Sequence, residues 1–268
     1  MKKDISKEYK RYLRKNTTSK VIVVSVQIGI LLSIIFLWEL LAYYKIIDTF
    51  ILSCPSRIIK TIIELLGNGN LFYHISTTLT EALIGFAIAT VGGYIIAIVL
   101  WWNDFIRKVL DPYIVVLNSL PKIALGPIII ILVGVGTTSI ITMDILIMIV
   151  ISIITMLNAF RETDNTKIML LKSMGANKFQ ILFKLIIPNA LPEFISLLKI
   201  NVGLTWVGTI MGEYLVSKAG LGYLIIYGSQ IFNLDLVMTG TILLCLLATL
   251  MYFIVVFIEK IVNKQRNK

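Results

Sequence analysis

Lys122, Asp144, Glu39 and Glu213 are charged residues set in or beside long apolar runs, and His74, Cys54 and Cys245 are candidate ligands or nucleophiles. Catalysis would need a nucleophile beside a base, convergent carboxylates or a metal-binding spacing. With one histidine, two distant cysteines, and neither C-x-x-C nor H-E-x-x-H, no catalytic cluster, metal centre or cofactor site is expected in this chain. The phosphate-binding pattern G-x-x-x-x-G-K-[ST] is also missing, so ATP hydrolysis by that route is not expected. A charge in apolar sequence has other uses. It can line a solute path, pair with another group, or reach the headgroups.

Lys122 is flanked by Pro121, Gly126 and Pro127, which predicts a broken or kinked helix. Irregular backbone is tolerated in a bilayer where it faces protein or a watery cavity. Lys122, with Asn118 one turn earlier, could therefore attract an anion along a pathway. Alternatively, Lys122 snorkels to the inner headgroups. Asn201, Thr205 and Gly208 recur on one helical face, which Gly212 continues, and Trp206 lies beside them. That face, with Trp206 as a gate or solute contact, is either a pathway wall or a helix contact of the small-xxx-small kind. Asp144, Glu39 and Glu213 lie near outer ends, where solvation or pairing is expected.

The elements that must position these residues are set by composition. Of 268 residues, 57% are hydrophobic and 15% charged, against about 25% charged in soluble domains. Mean hydropathy is +0.90. The expectation is an all-α, polytopic membrane protein in one bundle. Six runs approach the length of about 20 apolar residues that a bilayer requires: 21–43, 78–101, 113–135, 139–160, 194–216 and 236–258. The third and fourth, separated by Gly136–Thr138, predict a tight helical hairpin. In the outer loop 44–77, which carries His74, "PSRIIKTIIELL" predicts a short surface helix.

Charge orients the bundle. Segment 1–20, loop 102–112, stretch 161–199 and tail 259–268 together hold 20 of the 25 Lys and Arg, and the opposite side holds 4. The positive-inside rule places the larger set, and both termini, in the cytoplasm of a cell (plasma) membrane protein. The net charge of +10 is thus a membrane signature, and no nucleic-acid partner is expected.

The basic side includes one long loop, 161–193. Asp164 or Thr163 can cap a first helix carrying Ile168, Leu171 and Met174 at helical spacing. Gly175 breaks it. Asn177 can cap a second, with Phe179, Leu182, Phe183 and Ile186 at i, i+3, i+4 and i+7. Pro188 and Pro192 close it. An amphipathic pair of this kind either rests on lipid headgroups or fills a groove on a soluble partner.

"GANKFQILFKLIIPNALP" resembles the cytoplasmic signature of binding-protein-dependent ABC importer permeases: an E-A-A triplet, three residues, glycine, nine residues, then I-x-L-P. Gly175 takes the glycine place, Leu185 the isoleucine, and Ile187-Pro188 the L-P; the triplet reads Met169-Leu170-Leu171, without the acidic residue. "LNSLPKIALGPIIIILVGVG" (117–136) and "GEYLVSKAGLGYLI" (212–225) are similar to segments of the nitrate/sulfonate/taurine-type branch, and the likeness spans roughly 55–258. The resemblance implies an ABC permease-like bundle, paired with a second copy, expected to be identical, around a central pathway. It implies two cytoplasmic ABC ATPase subunits that bind the ATP, and an external binding protein that delivers the solute. The coupling contact would be Ser173, Gly175, Ala176, Asn177, Phe179 and Pro188. The solute implied is a small sulfonate, taurine or nitrate-like anion, with a pyrimidine vitamin precursor as alternative. A self-contained, ion-gradient-driven carrier or channel is the rival from another class.

Overall fold

The computed structural model describes residues 7–266. The described residues are mainly helical: α1 (Lys7–Tyr43), α2 (Thr49–Leu52), α3 (Pro55–Gly67), α4 (Asn70–Trp102), α5 (Asp104–Ser119), α6 (Gly126–Val133), α7 (Thr137–Arg161), α8 (Asn165–Ser173), α9 (Lys178–Ile181), α10 (Ile187–Asn189), α11 (Leu191–Val216), α12 (Leu221–Gln230) and α13 (Leu234–Arg266). Among the described residues, five helices are long and apolar enough to cross a membrane. A sixth crossing is supplied by a bent pair, Asp104–Ser119 with Lys122–Val133.

That bent pair carries the break expected beside Lys122 from Pro121, Gly126 and Pro127. The two pieces meet at 87°. Leu120 is extended, and Lys122–Leu125 forms a 3-10 turn that leads into α6. Pro121 is the cause: it has no N–H to donate, and it forces the preceding residue out of the helical region. Gly134 and Gly136, with φ of 93° and 134°, then make the turn into α7.

The core is α4, α7 and α11, which pack side by side. Gly85, Ala89, Gly93 and Ala97 recur every four residues on α4 and are all buried. A row of small residues brings helix axes close, which is how helices gain contact in lipid. The approach leaves no room for a Cβ. One added at Gly93 would lie 2.4 Å from Ser152 Cβ on α7, and one at Gly212 would lie 2.8 Å from Ile140 Cγ2. Elsewhere, α3 is tied to α13 by Arg57 and Asp235 at 2.6 Å, and Ser53 donates to the same carboxylate. Helix α1 meets α3, where Glu39 accepts the Ser56 N–H at 3.1 Å; its apolar span, Val21–Tyr43, is exposed over most of its length.

Candidate functional site

The long loop folds as two capped helices around a glycine. Asp164 caps α8 by accepting the Thr166 N–H at 2.8 Å. That bond, with the Thr166 hydroxyl and nearby Lys167, holds the Asp164 carboxyl below the ordinary carboxylate value. At the other end, the N–H of Ala176 donates to Leu171 and that of Gly175 to Lys172. This is the Schellman arrangement, which needs a left-handed residue just past the helix; Gly175 supplies it with φ of 82°. Asn177 and Gln180 then form a reciprocal capping box at the start of α9. Leu182–Ile186 winds as a wider π turn. Pro188, which cannot donate back to the carbonyl four residues earlier, favours that widening.

The loop's apolar residues divide into two sets. Ile181, Leu182 and Ile186 are buried in one core with Ala97, Leu100, Met156 and Phe160, and Ile168 and Leu171 pack against that core. Each fully buried side chain of this size is worth about 1.5–3 kcal/mol, so the loop is anchored to the ends of α4 and α7. The other set points away: Met169, Leu170, Met174, Phe179 and Phe183 are 51–74% exposed. The single apolar face expected from periodicity is corrected accordingly, since Met174, Phe179 and Phe183 leave it. Ser173, Gly175, Asn177 and Pro188 lie on the exposed side as well, with Ala176 half-buried. Lys178 bridges the loop to the end of α4, bonding the Trp102 carbonyl and lying 5.4 Å from the Trp102 ring centre. This position grips an aromatic face by cation–π attraction.

The intramembrane polar residues are arranged differently from the sequence expectation. Asn201 is wholly buried and donates to Thr90 and Ser152, both at 2.9 Å. Thr205 is wholly buried and donates to Asp144 at 2.6 Å. Trp206 is 5% exposed and packs with Leu221 and Leu224. These three side chains therefore stitch helices together inside one protomer. Asp144 is corrected. It lies in the core, wedged between Gly85 and Gly208 rather than solvated.

Glu213 does not reach water either. It accepts the N–H of Gly222, while His74 Nδ1 accepts that of Gly220 at 3.0 Å and Thr78 Oγ1 that of Leu221 at 2.7 Å. Three side chains from two other helices thus satisfy the orphan amides at the start of α12, and a carboxylate suits that positive end. His74 sits on α4 rather than in a loop. Because its Nδ1 accepts, the ring hydrogen is on Nε2. Glu81, wholly buried beside Glu213 and within reach of the Thr137 hydroxyl, was missed in the sequence. The signal was a polar stripe at 74, 78 and 81, helical spacing inside an apolar helix.

Lys122 remains on the bundle surface at the 87° bend. Its ammonium makes one long contact, 3.4 Å to the carbonyl of Asn118, whose side chain is exposed. With Pro121, Ile147, Ile151, Leu204 and Val207 it lines an open cavity of about 340 Å³.

Residues 89–268 match the family described as binding-protein-dependent transport system inner membrane component. The taurine transport system permease protein TauC of Escherichia coli (strain K12) is 25% identical over 233 residues, 85% of each chain. The formylaminopyrimidine transport permease protein ThiX of Halalkalibacterium halodurans is 29% identical over 192 residues, 72% of this chain and 76% of that one. The fold is shared with a chain of a bacterial ABC transporter involved in the import of the acidic polysaccharide alginate. The TM-score is 0.63 at 14% identity, over 95% of this chain and 99% of that one.

Proposed function

The chain belongs to the family of binding-protein-dependent transport system inner membrane components and is the permease of an ABC importer; from that premise we propose how it is coupled and what it carries. Two identical copies pair around a pathway. Each presents its loop 161–193 to a separate cytoplasmic ATPase subunit, which binds the ATP, and an extracytoplasmic binding protein delivers the solute. Both termini face the cytoplasm of the cell membrane.

The observation that carries this reading is the exposed apolar patch of Met169, Leu170, Met174, Phe179 and Phe183, grouped around Gly175 on a loop whose other face is anchored. Apolar surface standing free on the basic side calls for a partner. Ser173, Gly175, Ala176, Asn177, Phe179 and Pro188 form the contact. The solute is a small anion of the sulfonate, taurine or nitrate kind, a reading supported by Lys122 and by the likeness to a taurine permease. A neutral pyrimidine precursor is the second reading, favoured by the likeness to ThiX.

Purification of the full chain from its native cell in mild detergent tests the coupling. Wild type should bring down a phosphate-loop ATPase in near-equal amount, and Gly175→Trp should lose it. No ATPase with wild type would overturn the reading in favour of a gradient-driven carrier.

A further inference from the structure

We propose that the cavity beside the bend of the third crossing is a solute subsite for a monoanion carrying a short alkyl chain, with Lys122 holding the anionic head and Ile147, Ile151, Leu204 and Val207 receiving the tail. The subsite rests on the importer reading above and narrows the solute it admits.

Three observations converge on it. The cavity, about 340 Å³, lies in the 300–1,000 Å³ range of small-molecule pockets, which combine apolar walls with few placed polar groups. Lys122 is the one charged residue that lines it. The ammonium is under-used: three donors meet a single carbonyl at 3.4 Å, and among the described residues Lys122 joins no ion pair. A cation with free donors favours an anion.

The walls then discriminate among anions. Nitrate would satisfy the lysine but leave the apolar surface empty. Taurine would bring a second charge, an ammonium, into a cavity lined by no carboxylate. Asp144 is the acid nearest in sequence to Ile147, but it turns its carboxyl between Gly85 and Gly208 and is wholly buried. An ammonium set against apolar walls, with no carboxylate to pair it, is disfavoured there. An alkanesulfonate of three or four carbons meets both halves of the site.

Thiol labelling reads the site without relying on transport. Val207→Cys, 43% exposed as valine, is made in a full-length chain in which exposed Cys245 is replaced by Ser; Cys54 is buried. A fixed unit charge about 6 Å from a thiol, screened as in water, separates the rates of an anionic and a cationic reagent about tenfold. With each rate divided by that reagent's rate toward a free small thiol, the anionic ethylsulfonate methanethiosulfonate should therefore label about tenfold faster than its trimethylammonium counterpart. Lys122→Met should bring the ratio to about one, and Lys122→Arg should keep it. Butanesulfonate should protect the thiol at concentrations where nitrate and taurine do not. Equal rates in the Lys122 background, or equal protection by all three anions, would overturn the subsite. So would no labelling at all. None of these results would touch the importer reading, which the co-purifying ATPase tests separately.

Discussion

Replacing Gly208 with alanine should separate two core helices, and the cost can be worked from the contacts. A Cβ there would lie 2.4 Å from Asp144 Oδ1 and 2.8 Å from Asp144 Cα. The carboxylate oxygen could swing aside, but Cα is backbone. Restoring an ordinary carbon–carbon distance of about 3.5–4.0 Å moves α11 away from α7 by about 1 Å. The 2.6 Å bond from Thr205 to Asp144 would stretch past the limit of a hydrogen bond. Overpacking of this kind costs about 1–3 kcal/mol, and an unsatisfied buried acceptor adds about 1–3 kcal/mol, so a loss near 3 kcal/mol is expected. Gly203 on the same helix is the control. It is exposed, and its Cβ would meet nothing within 4 Å; alanine there should stabilise by about 0.5–1 kcal/mol through helix propensity. Titration of the purified permease with sodium dodecyl sulfate, followed by tryptophan fluorescence, to which buried Trp206 contributes, should read the difference. If Gly208→Ala is as stable as Gly203→Ala, the close packing of α7 against α11 is not as described.

Glu213→Ala should destabilise the same preparation by about 1–2 kcal/mol through loss of the α12 cap, whereas Glu213→Gln, which keeps an acceptor for Gly222, should recover most of it. The Asp164 cap should be sensitive to acid. Its carboxyl sits below the ordinary value of 3.8 when α8 is folded, so its contribution is complete above pH 3.8 and is lost as pH falls through the lower folded value. Exchange of the Thr166 amide, normalised to a free peptide, should therefore speed up in Asp164→Asn less than in Asp164→Ala at pH 7, and in wild type only below pH 3.8.

The apolar runs made the crossings legible, because lipid demands length and composition before any partner is known. The loop was legible in its caps for a similar reason: Asp164, Gly175 and Asn177 act on amides within a few residues. What the pattern could not locate was anything whose partner lies far along the chain. Asp144 looks like an outer-end acid until Gly85 and Gly208 are seen to enclose it. Glu213 looks solvated until Gly222 folds back onto it. Asn201, Thr205 and Trp206 have the same helical spacing whether they face a pathway or a neighbour, and only the placement of Thr90, Ser152 and Ala82 distinguishes the two. In the loop, periodicity found the apolar positions but not that Phe179 and Phe183 turn away from Leu182 and Ile186.

The cap of α12 also bears on how the chain is made. Its acceptors on α4, His74 and Thr78, are synthesised more than 140 residues before the amides of Gly220 and Leu221 that they receive. Until α12 emerges, Glu213 is an acid near the end of the newest helix with no Gly222 amide to hold it. A chain cut between residues 217 and 220 would carry that acid without its backbone donor, with α4, α7 and α11 otherwise complete. Such a chain should integrate less stably than one extended through α12. Addition of α12 removes the defect, so a helix too short to cross the bilayer secures the one before it.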